Sequence, residues 1–436
     1  MKITLLPGKI VGEVASIPSK SHLHRLMIYA AFADKNTLIT SRATEAEDII
    51  ATMECLNALG AMISRNESGF SVTPVDLSCV PLGLDEPVLF PVCESGSTLR
   101  FLLPVVCALG IRAVFEMKGR LPERPLAPLD EQLKNHGINI WREGREFLHV
   151  EGRLEPGGDY FLPGDVSSQY ITGLIMALSL LDNPSTLTVG TPIESVGYLD
   201  MTLDVAEVFG VKPESQNNRL DSSESVEYKI RGGGIFVSPG QVDTEGDWSN
   251  SAFWLCAGAM PKGKVTLTGL DKNSSQGDRE VSHILSRMGA NIEWSGNALV
   301  SEEKERLATE IDASAIPDLI PTLAAVAAVS KGTTIVVNAA RLRIKESDRL
   351  MAIANTLSAL GAEIRETADG LVIEGKDSLR GGTVDAHGDH RIAMMAAIAS
   401  AACTEPVTII GAQAVNKSYP KFWRDLELMG KRIQEE

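Results

Sequence analysis

Leu59-Gly60-Ala61-Met62-Ile63 reads as the end of one element and the start of another, and the phrase returns five times. The further copies are His136-Gly137-Ile138-Asn139-Ile140, Phe209-Gly210-Val211, Met288-Gly289-Ala290-Asn291-Ile292, Leu360-Gly361-Ala362-Glu363-Ile364 and Met429-Gly430-Lys431-Arg432-Ile433. In each, a helix-like stretch stops, Gly follows, and a strand-like stretch begins. Gly ends a helix in the left-handed conformation without steric cost. Successive glycines are 77, 73, 79, 72 and 69 residues apart, so the chain reads as a sixfold repeat.

Each period holds a second helix of small apolar residues, opened by a polar cluster. The openings are Pro18-Ser19-Lys20-Ser21, Glu94-Ser95-Gly96-Ser97-Thr98, Gly164-Asp165-Val166-Ser167-Ser168-Gln169, Gly246-Asp247-Trp248-Ser249-Asn250, Ile316-Pro317-Asp318 and Gly388-Asp389-His390-Arg391. The bodies behind them, such as Ala324-Ala325-Val326-Ala327-Ala328, are apolar nearly all round and so belong to buried helices. Singly, each opening reads as an ordinary N-cap. Collectively, six sets of helix-start N–H groups offer places for anions.

With 436 residues, 44% of them hydrophobic and 22% charged, the chain has material for two globular domains. A formal charge of −16 disfavours nucleic acid and anionic membrane as partners, so any anion site must gather its few cations in one place. The six cysteines form no CxxC pair, and the segment before Pro7 has no long apolar stretch. The expectation is a cytoplasmic protein with free thiols.

Charge appears where a core is expected. Behind Arg341-Leu342-Arg343-Ile344-Lys345-Glu346-Ser347-Asp348-Arg349 runs the apolar stripe Leu350, Ile353, Leu357, Leu360. One helical turn back along that stripe lies Glu346, with Arg349 beside it and Lys345 a turn before Arg349. A solvated helix end and a functional cluster both account for this. In the first helix Ser21 and Arg25 share a face, and a forked guanidinium beside a hydroxyl suits a carboxylate, a surface ion pair being the alternative.

Lys20-Ser21-x-x-x-Arg25, Glu94-Ser95-Gly96-Ser97-Thr98-Leu99-Arg100, Arg124 in Pro122-Glu123-Arg124-Pro125, Ser167-Ser168-Gln169, Lys345-Glu346-Ser347-Asp348-Arg349, Asp389-His390-Arg391 and Lys417 resemble, in order and spacing, the enolpyruvylshikimate-phosphate synthase family. The resemblance spans Pro18 to Lys417. It implies an α/β fold of two similar domains, each of three βαβαββ-type units around buried helices in an inside-out α/β barrel, with a cleft between them. One domain would cover 19–240, the other 1–18 plus 241–436.

The resemblance also implies a reaction: transfer of the enolpyruvyl group of phosphoenolpyruvate to shikimate 3-phosphate, without metal or cofactor and by a monomer. Shikimate 3-phosphate would be held by Lys20, Ser21, Arg25, Ser167, Ser168, Gln169, Ser195, Tyr198, Asp318, Arg341 and Lys345. Lys20, Gly96, Arg124, Gln169, Arg349, Arg391 and Lys417 would hold phosphoenolpyruvate. Asp318 would face the reacting hydroxyl and Glu346 the reacting carbon, with Lys20 assisting. Taken alone, Asp318 reads as an N-cap and Tyr198 as core. Two departures stand out: Glu94 replaces a common Asn beside the glycine turn, and Arg341 replaces an Asn found in some members.

The nearest rival family, UDP-N-acetylglucosamine enolpyruvyl transferase, places a reactive Cys near the Arg124 segment, and residues 117–130 contain none. A non-catalytic anion-binding protein on the same repeat is the second rival. No GxxxxGK[ST] or GxSxG occurs, and His387 and His390 read as a loop and N-cap pair before a metal site.

Overall fold

The computed structural model describes residues 1–41, 46–80, 82, 85–220, 223–233 and 236–435. Among these residues lie six four-stranded sheets and twelve α-helices. The chain divides into two compact units, Lys20–Thr244 and a discontinuous one of Met1–Ser19 with Glu245–Glu436.

One repeat shows the plan of all six. Strand Val88–Cys93 runs through helix Gly96–Leu109 to strand Ala113–Met117, then through helix Leu129–Asn135 to the hairpin Asn139–Glu143 and Phe147–Glu151. The first two strands pair in parallel, and the hairpin adds antiparallel with its second strand inside. Three sheets are completed from far away. Gln241–Asp243 joins Thr37–Thr40, Val11–Ala15 joins Lys264–Thr268, and Lys2–Leu5 sits between Val407–Ile410 and Ile433–Glu435. The strands are half-buried with period two: Tyr160 and Leu162 face inward while Phe161 between them is exposed.

All six repeat glycines are left-handed, with φ from +78° at Gly210 to +102° at Gly60. Behind each, the next N–H reaches back five residues to a helix carbonyl: Ala61 to Leu56, Ile138 to Leu133, Val211 to Ala206, Ala290 to Leu285, Ala362 to Leu357 and Lys431 to Leu426, all at 2.8–3.2 Å. This Schellman closure turns each outer helix into an edge strand, so the motif read in the sequence is the corner of every repeat.

In the Lys20–Thr244 unit the helices are α1 (Lys20–Ala31), α2 (Glu47–Ala58), α3 (Gly96–Leu109), α4 (Leu129–Asn135), α5 (Ser168–Ser179) and α6 (Val196–Val208). In the discontinuous unit they are α7 (Trp248–Ala259), α8 (Val281–Arg287), α9 (Ile320–Ala327), α10 (Arg349–Ala359), α11 (His390–Ala399) and α12 (Phe422–Leu428). The odd-numbered helices are buried along almost their whole length, and each unit closes around its own apolar core. Helix α3 packs on α5, where a Cβ at Gly173 would run into the Arg100 carbonyl; α7, α9 and α11 pack on one another. The Lys and Arg residues of these odd-numbered helices, Lys20, Arg25, Arg100 and Arg391, all lie within the first two turns.

Candidate active site

In the Lys20–Thr244 unit, side chains bind the first turns of α1, α2, α3 and α5 together. Lys20 Nζ donates to Asp48 Oδ2 at 2.5 Å. The Asp48 carbonyl accepts from the Thr52 hydroxyl at 3.3 Å, with Thr98 Oγ1 3.4 Å away. Thr52 Oγ1 stands 2.7 Å from both His24 Nδ1 and Thr98 Oγ1, and Thr98 donates onward to Ser95 Oγ at 2.7 Å. Burial pushes the His24 imidazole down to about 3, outweighing the Asp48 carboxylate, so His24 is neutral in this chain.

Arg25 is 2% exposed. Its Nε donates to Thr202 Oγ1 at 2.8 Å, Nη1 to the Ser21 carbonyl at 2.8 Å, and Nη2 to Thr172 Oγ1 at 3.3 Å and the Tyr198 carbonyl at 2.9 Å. The Phe101 ring lies 5.0 Å from the guanidinium carbon. Every one of these partners is neutral, and burial pushes the guanidinium down to about 10. The fork expected for a ligand carboxylate is therefore turned into the protein, and Nη1 retains one further N–H to offer.

At the head of α3 two guanidinium ends rest on Gly96. A Cβ there would stand 2.5 Å from Arg100 Nη1 and 2.8 Å from Arg124 Nη1, so a larger residue would displace both. Arg100 Nη1 donates to Gln169 Oε1 at 3.0 Å, and Gln169 Nε2 donates to Ser97 Oγ at 2.8 Å. Two cations beside the positive end of a 14-residue helix favour an anion. Ser167 caps α5, accepting from the Gln169 N–H, with Ser168 buried behind it. Ser195 precedes α6 at φ +55°, a strained conformation for a residue with a side chain. The Glu94 carboxylate lies against the Cα of Gly119.

The discontinuous unit holds a charge cluster. Arg349, 1% exposed, donates through Nε to Asp389 Oδ2 at 2.7 Å, through Nη1 to Asp318 Oδ1 at 2.6 Å and through Nη2 to Glu346 Oε2 at 2.6 Å. Arg391 Nη1 donates to the Asp318 carbonyl at 2.9 Å and Nη2 to Ser249 Oγ at 2.7 Å. Lys345 Nζ lies 3.6 Å from Asp318 Oδ1. Burial alone would raise the Asp318 carboxyl, but Arg391, Lys345 and Arg349 hold it well below the ordinary range. Burial likewise opposes the charge on Arg349, and the Asp389, Glu346 and Asp318 carboxylates more than restore it. Arg341 lies in the turn Ala340–Ile344 before Lys345. Lys417 is buried at the end of Ala412–Lys417, beside Ser418, whose hydroxyl donates to Asn250 on α7.

Two local expectations are corrected. Helix α10 begins at Arg349 because Asp348 caps it, accepting from Met351 N at 3.2 Å, so Lys345 and Glu346 stand ahead of the helix instead of on its face. Asp318 is no N-cap: it sits in the 3-10 turn Pro317–Leu319, and its carboxylate makes no cap bond. Ser95, Ser167, Asp247 and Asp389 do cap, as the simpler reading has it.

The sequence reading assigned no role to Asp48, Arg100, Ser249 or Asp389. Arg100 and Asp389 belong to the Glu94–Arg100 and Asp389–Arg391 motifs, and Ser249 to the opening of α7. Asp48 carried only the weak signal of an acidic pair, Glu47-Asp48, heading a helix. Among the described residues no group of His, Cys, Asp or Glu is placed to hold a metal ion, and no helix is long and apolar enough to cross a membrane.

The chain is similar to known proteins along its whole length. The EPSP synthase (3-phosphoshikimate 1-carboxyvinyltransferase) family pattern matches residues 6–426. A 3-phosphoshikimate 1-carboxyvinyltransferase of Clostridium kluyveri is 42% identical over 99% of this chain and 98% of its own. One from Clostridium perfringens is 41% identical, with both chains covered in full. Among solved structures, EPSP synthase from Acinetobacter baumannii superposes with a TM-score of 0.78 at 23% identity over the whole of both chains. The enolpyruvyl transferase NikO from Streptomyces tendae superposes at 0.75 with 18% identity over 99% of this chain and 98% of its own, and these two likenesses speak for the fold. On sequence identity along its entire length, the chain belongs to the EPSP synthase (3-phosphoshikimate 1-carboxyvinyltransferase) family.

Proposed function

We propose that this protein transfers the enolpyruvyl group of phosphoenolpyruvate to the 5-hydroxyl of shikimate 3-phosphate and releases phosphate. The observation that carries the reading is a pair of carboxylates, Asp318 and Glu346, each 2.6 Å from a different arm of the buried Arg349. The reaction needs one group to take the hydroxyl proton as oxygen bonds to the enol carbon, and another to deliver a proton to the methylene carbon. The tetrahedral intermediate then returns that methyl proton and expels phosphate. Carboxylates fixed on a common guanidinium meet both needs: Asp318, held ionised, faces the hydroxyl, and Glu346 faces the carbon.

Both substrates bring a phosphate and a carboxylate. In our reading Arg124, Gln169, the Gly96 backbone, Lys20, Arg349, Arg391 and Lys417 hold phosphoenolpyruvate. Ser167, Ser168 and Ser195 hold the acceptor phosphate at two helix starts. Ser21 and the remaining N–H of Arg25 take its carboxylate, and Tyr198, Gln169, Lys20, Arg341, Lys345 and Asp318 complete its surroundings. The domains are read as 19–240 and 1–18 plus 241–436, and the active species as a cytoplasmic monomer.

Phosphate release from phosphoenolpyruvate and shikimate 3-phosphate by chelator-treated protein tests the reading. Stoichiometric release is expected. Release only when UDP-N-acetylglucosamine is the acceptor, or none with either, overturns it.

A further inference from the structure

The chain leaves the discontinuous unit at Ser19 and returns to it at Glu245, and the two crossing segments lie side by side. Pro18 and Gly246 form an isolated antiparallel bridge, Ser19 N donates to the Glu245 carbonyl at 2.8 Å, and Asp247 N donates to the Ile17 carbonyl at 2.9 Å. One buried side chain grips both. Gln276, 4% exposed, accepts through Oε1 from Ser19 Oγ at 3.3 Å and from Trp248 N at 3.0 Å. Through Nε2 it donates to Glu245 Oε2 at 3.0 Å and to the Gly246 carbonyl at 2.8 Å. Both lone pairs and both N–H groups of the amide are thereby engaged. The loop that carries it is fixed in turn: Ser274 Oγ donates to Glu245 Oε2 at 2.6 Å and accepts from Gln276 N, and Trp248 Nε1 donates to the Asp271 carbonyl.

These bonds end at the heads of two helices. Ser19 is followed by Lys20 and Ser21 of α1, and Trp248 by Ser249 of α7, the hydroxyl that accepts from Arg391. We infer that Gln276 is a positioning residue, which clamps Pro18-Ser19 and Glu245-Gly246 to the rest of the discontinuous unit and so fixes where the first turn of α7 presents Ser249, the partner of Arg391. A buried amide with every bond satisfied is well suited to this, because any displacement of either segment strands polar groups away from water.

The inference rests on the proposed reaction for its kinetic readout alone; amide hydrogen exchange reads the clamp whether or not that reaction holds. In Gln276→Leu, exchange at Ser19, Asp247 and Trp248 is expected to quicken at least about tenfold while amides inside α9 and α11 keep their protection. Ser274→Ala, which removes the hydroxyl bond to the Glu245 carboxylate, is expected to give a smaller change at the same three amides. Turnover by Gln276→Leu falls about tenfold or more with KM for phosphoenolpyruvate altered less than about threefold, the signature of misplaced groups in place of lost binding. Unchanged exchange at the three amides overturns the clamp. So does an equal acceleration in α9 and α11, which would mark general loosening, and so does altered exchange with kinetics left intact.

Discussion

Arg25 and Arg349 are both buried arginines behind the head of a helix, yet they are held in opposite ways. Arg25 sits among hydroxyls and carbonyls of Thr172, Thr202, Ser21 and Tyr198, over an aromatic ring. Arg349 is gripped by three carboxylates. A buried cation with neutral partners keeps its field for whatever anion arrives, whereas one among carboxylates also holds them in place and here keeps Asp318 and Asp389 ionised. One arrangement suits binding and the other proton transfer.

That contrast is broken hardest by removing Arg349. Arg349→Met leaves Asp389, Asp318 and Glu346 facing one another, and a loss of about 3–5 kcal/mol is expected, since breaking a buried pair strands charge. In the native protein the depressed Asp318 and Asp389 carboxyls contribute stability above their unfolded value of 3.8, lost as pH falls through their folded values. In the variant Arg391 and Lys345 still hold Asp318 down, but Asp389 loses the guanidinium that offset its burial, so its carboxyl rises and the deficit should shrink as pH is lowered from 7 toward 5. Urea midpoints at the two pH values decide it; a deficit that stays constant removes the carboxylate argument.

Glu346→Gln is the next largest. The amide oxygen can still accept from Arg349 Nη2, so the cluster should stand, while no proton can be delivered. Turnover is expected to fall about 10²–10⁴-fold with binding of both substrates, followed by calorimetry, preserved. If binding falls along with turnover, the carboxylate is a ligand contact and the division of labour between the two arginines is wrong.

The difference between these regions was only half legible in the sequence. The six Gly corners and the buried helices follow from local rules, because a helix stop and an apolar body are short-range facts, whereas the βαβαββ plan came only with the family resemblance. The cations at helix heads were also visible. What surrounds each was not: Arg25 is lined by Thr172 and Thr202, 147 and 177 residues away, and Arg391 finds Ser249 at a separation of 142. Lys345 and Glu346 were set one turn too far into a helix, because the capping strength of Asp348 went unweighed against the apolar stripe. Lys431 shows the same limit. It alone is charged at a corner position that Ala61, Ile138, Val211, Ala290 and Ala362 fill with apolar groups, and only the fold reveals that it is buried on the carbonyls of Leu6, Gly8 and Ser400.

Arg25→Met sharpens the contrast from the other side. Thr172 and Thr202 hydroxyls already share a bond of 2.8 Å, and Thr202 also donates to the Tyr198 carbonyl, so the nest remains satisfied without the guanidinium. Stability is expected to change by less than about 1 kcal/mol, while KM for shikimate 3-phosphate rises about 10- to 100-fold, as for a lost hydrogen bond to a charged group. An unfolding midpoint that drops as far as in Arg349→Met would show the two sites to be alike after all.

The smallest effect concerns Lys345, a cation inside the carboxylate cluster that keeps part of its field. Burial, with Arg349 and Arg341, pushes it down to about 8 from 10.5, against the pull of Asp318 and Glu346. The folded chain therefore prefers the neutral amine more than the unfolded chain does. Holding Lys345 charged costs stability below pH 8, and that cost is relieved as pH rises from 8 to 10.5. Activity should run the other way, because each pH unit above the midpoint removes about tenfold of the ammonium form. An alkaline fall in kcat/KM near pH 8, against stability that holds or rises over the same window, is the expected pattern. Lys345→Arg should carry the charge past pH 10 and abolish that fall; if the alkaline limb stays where it was, some other group sets it, and Lys345 belongs with the internally spent charges of Arg349.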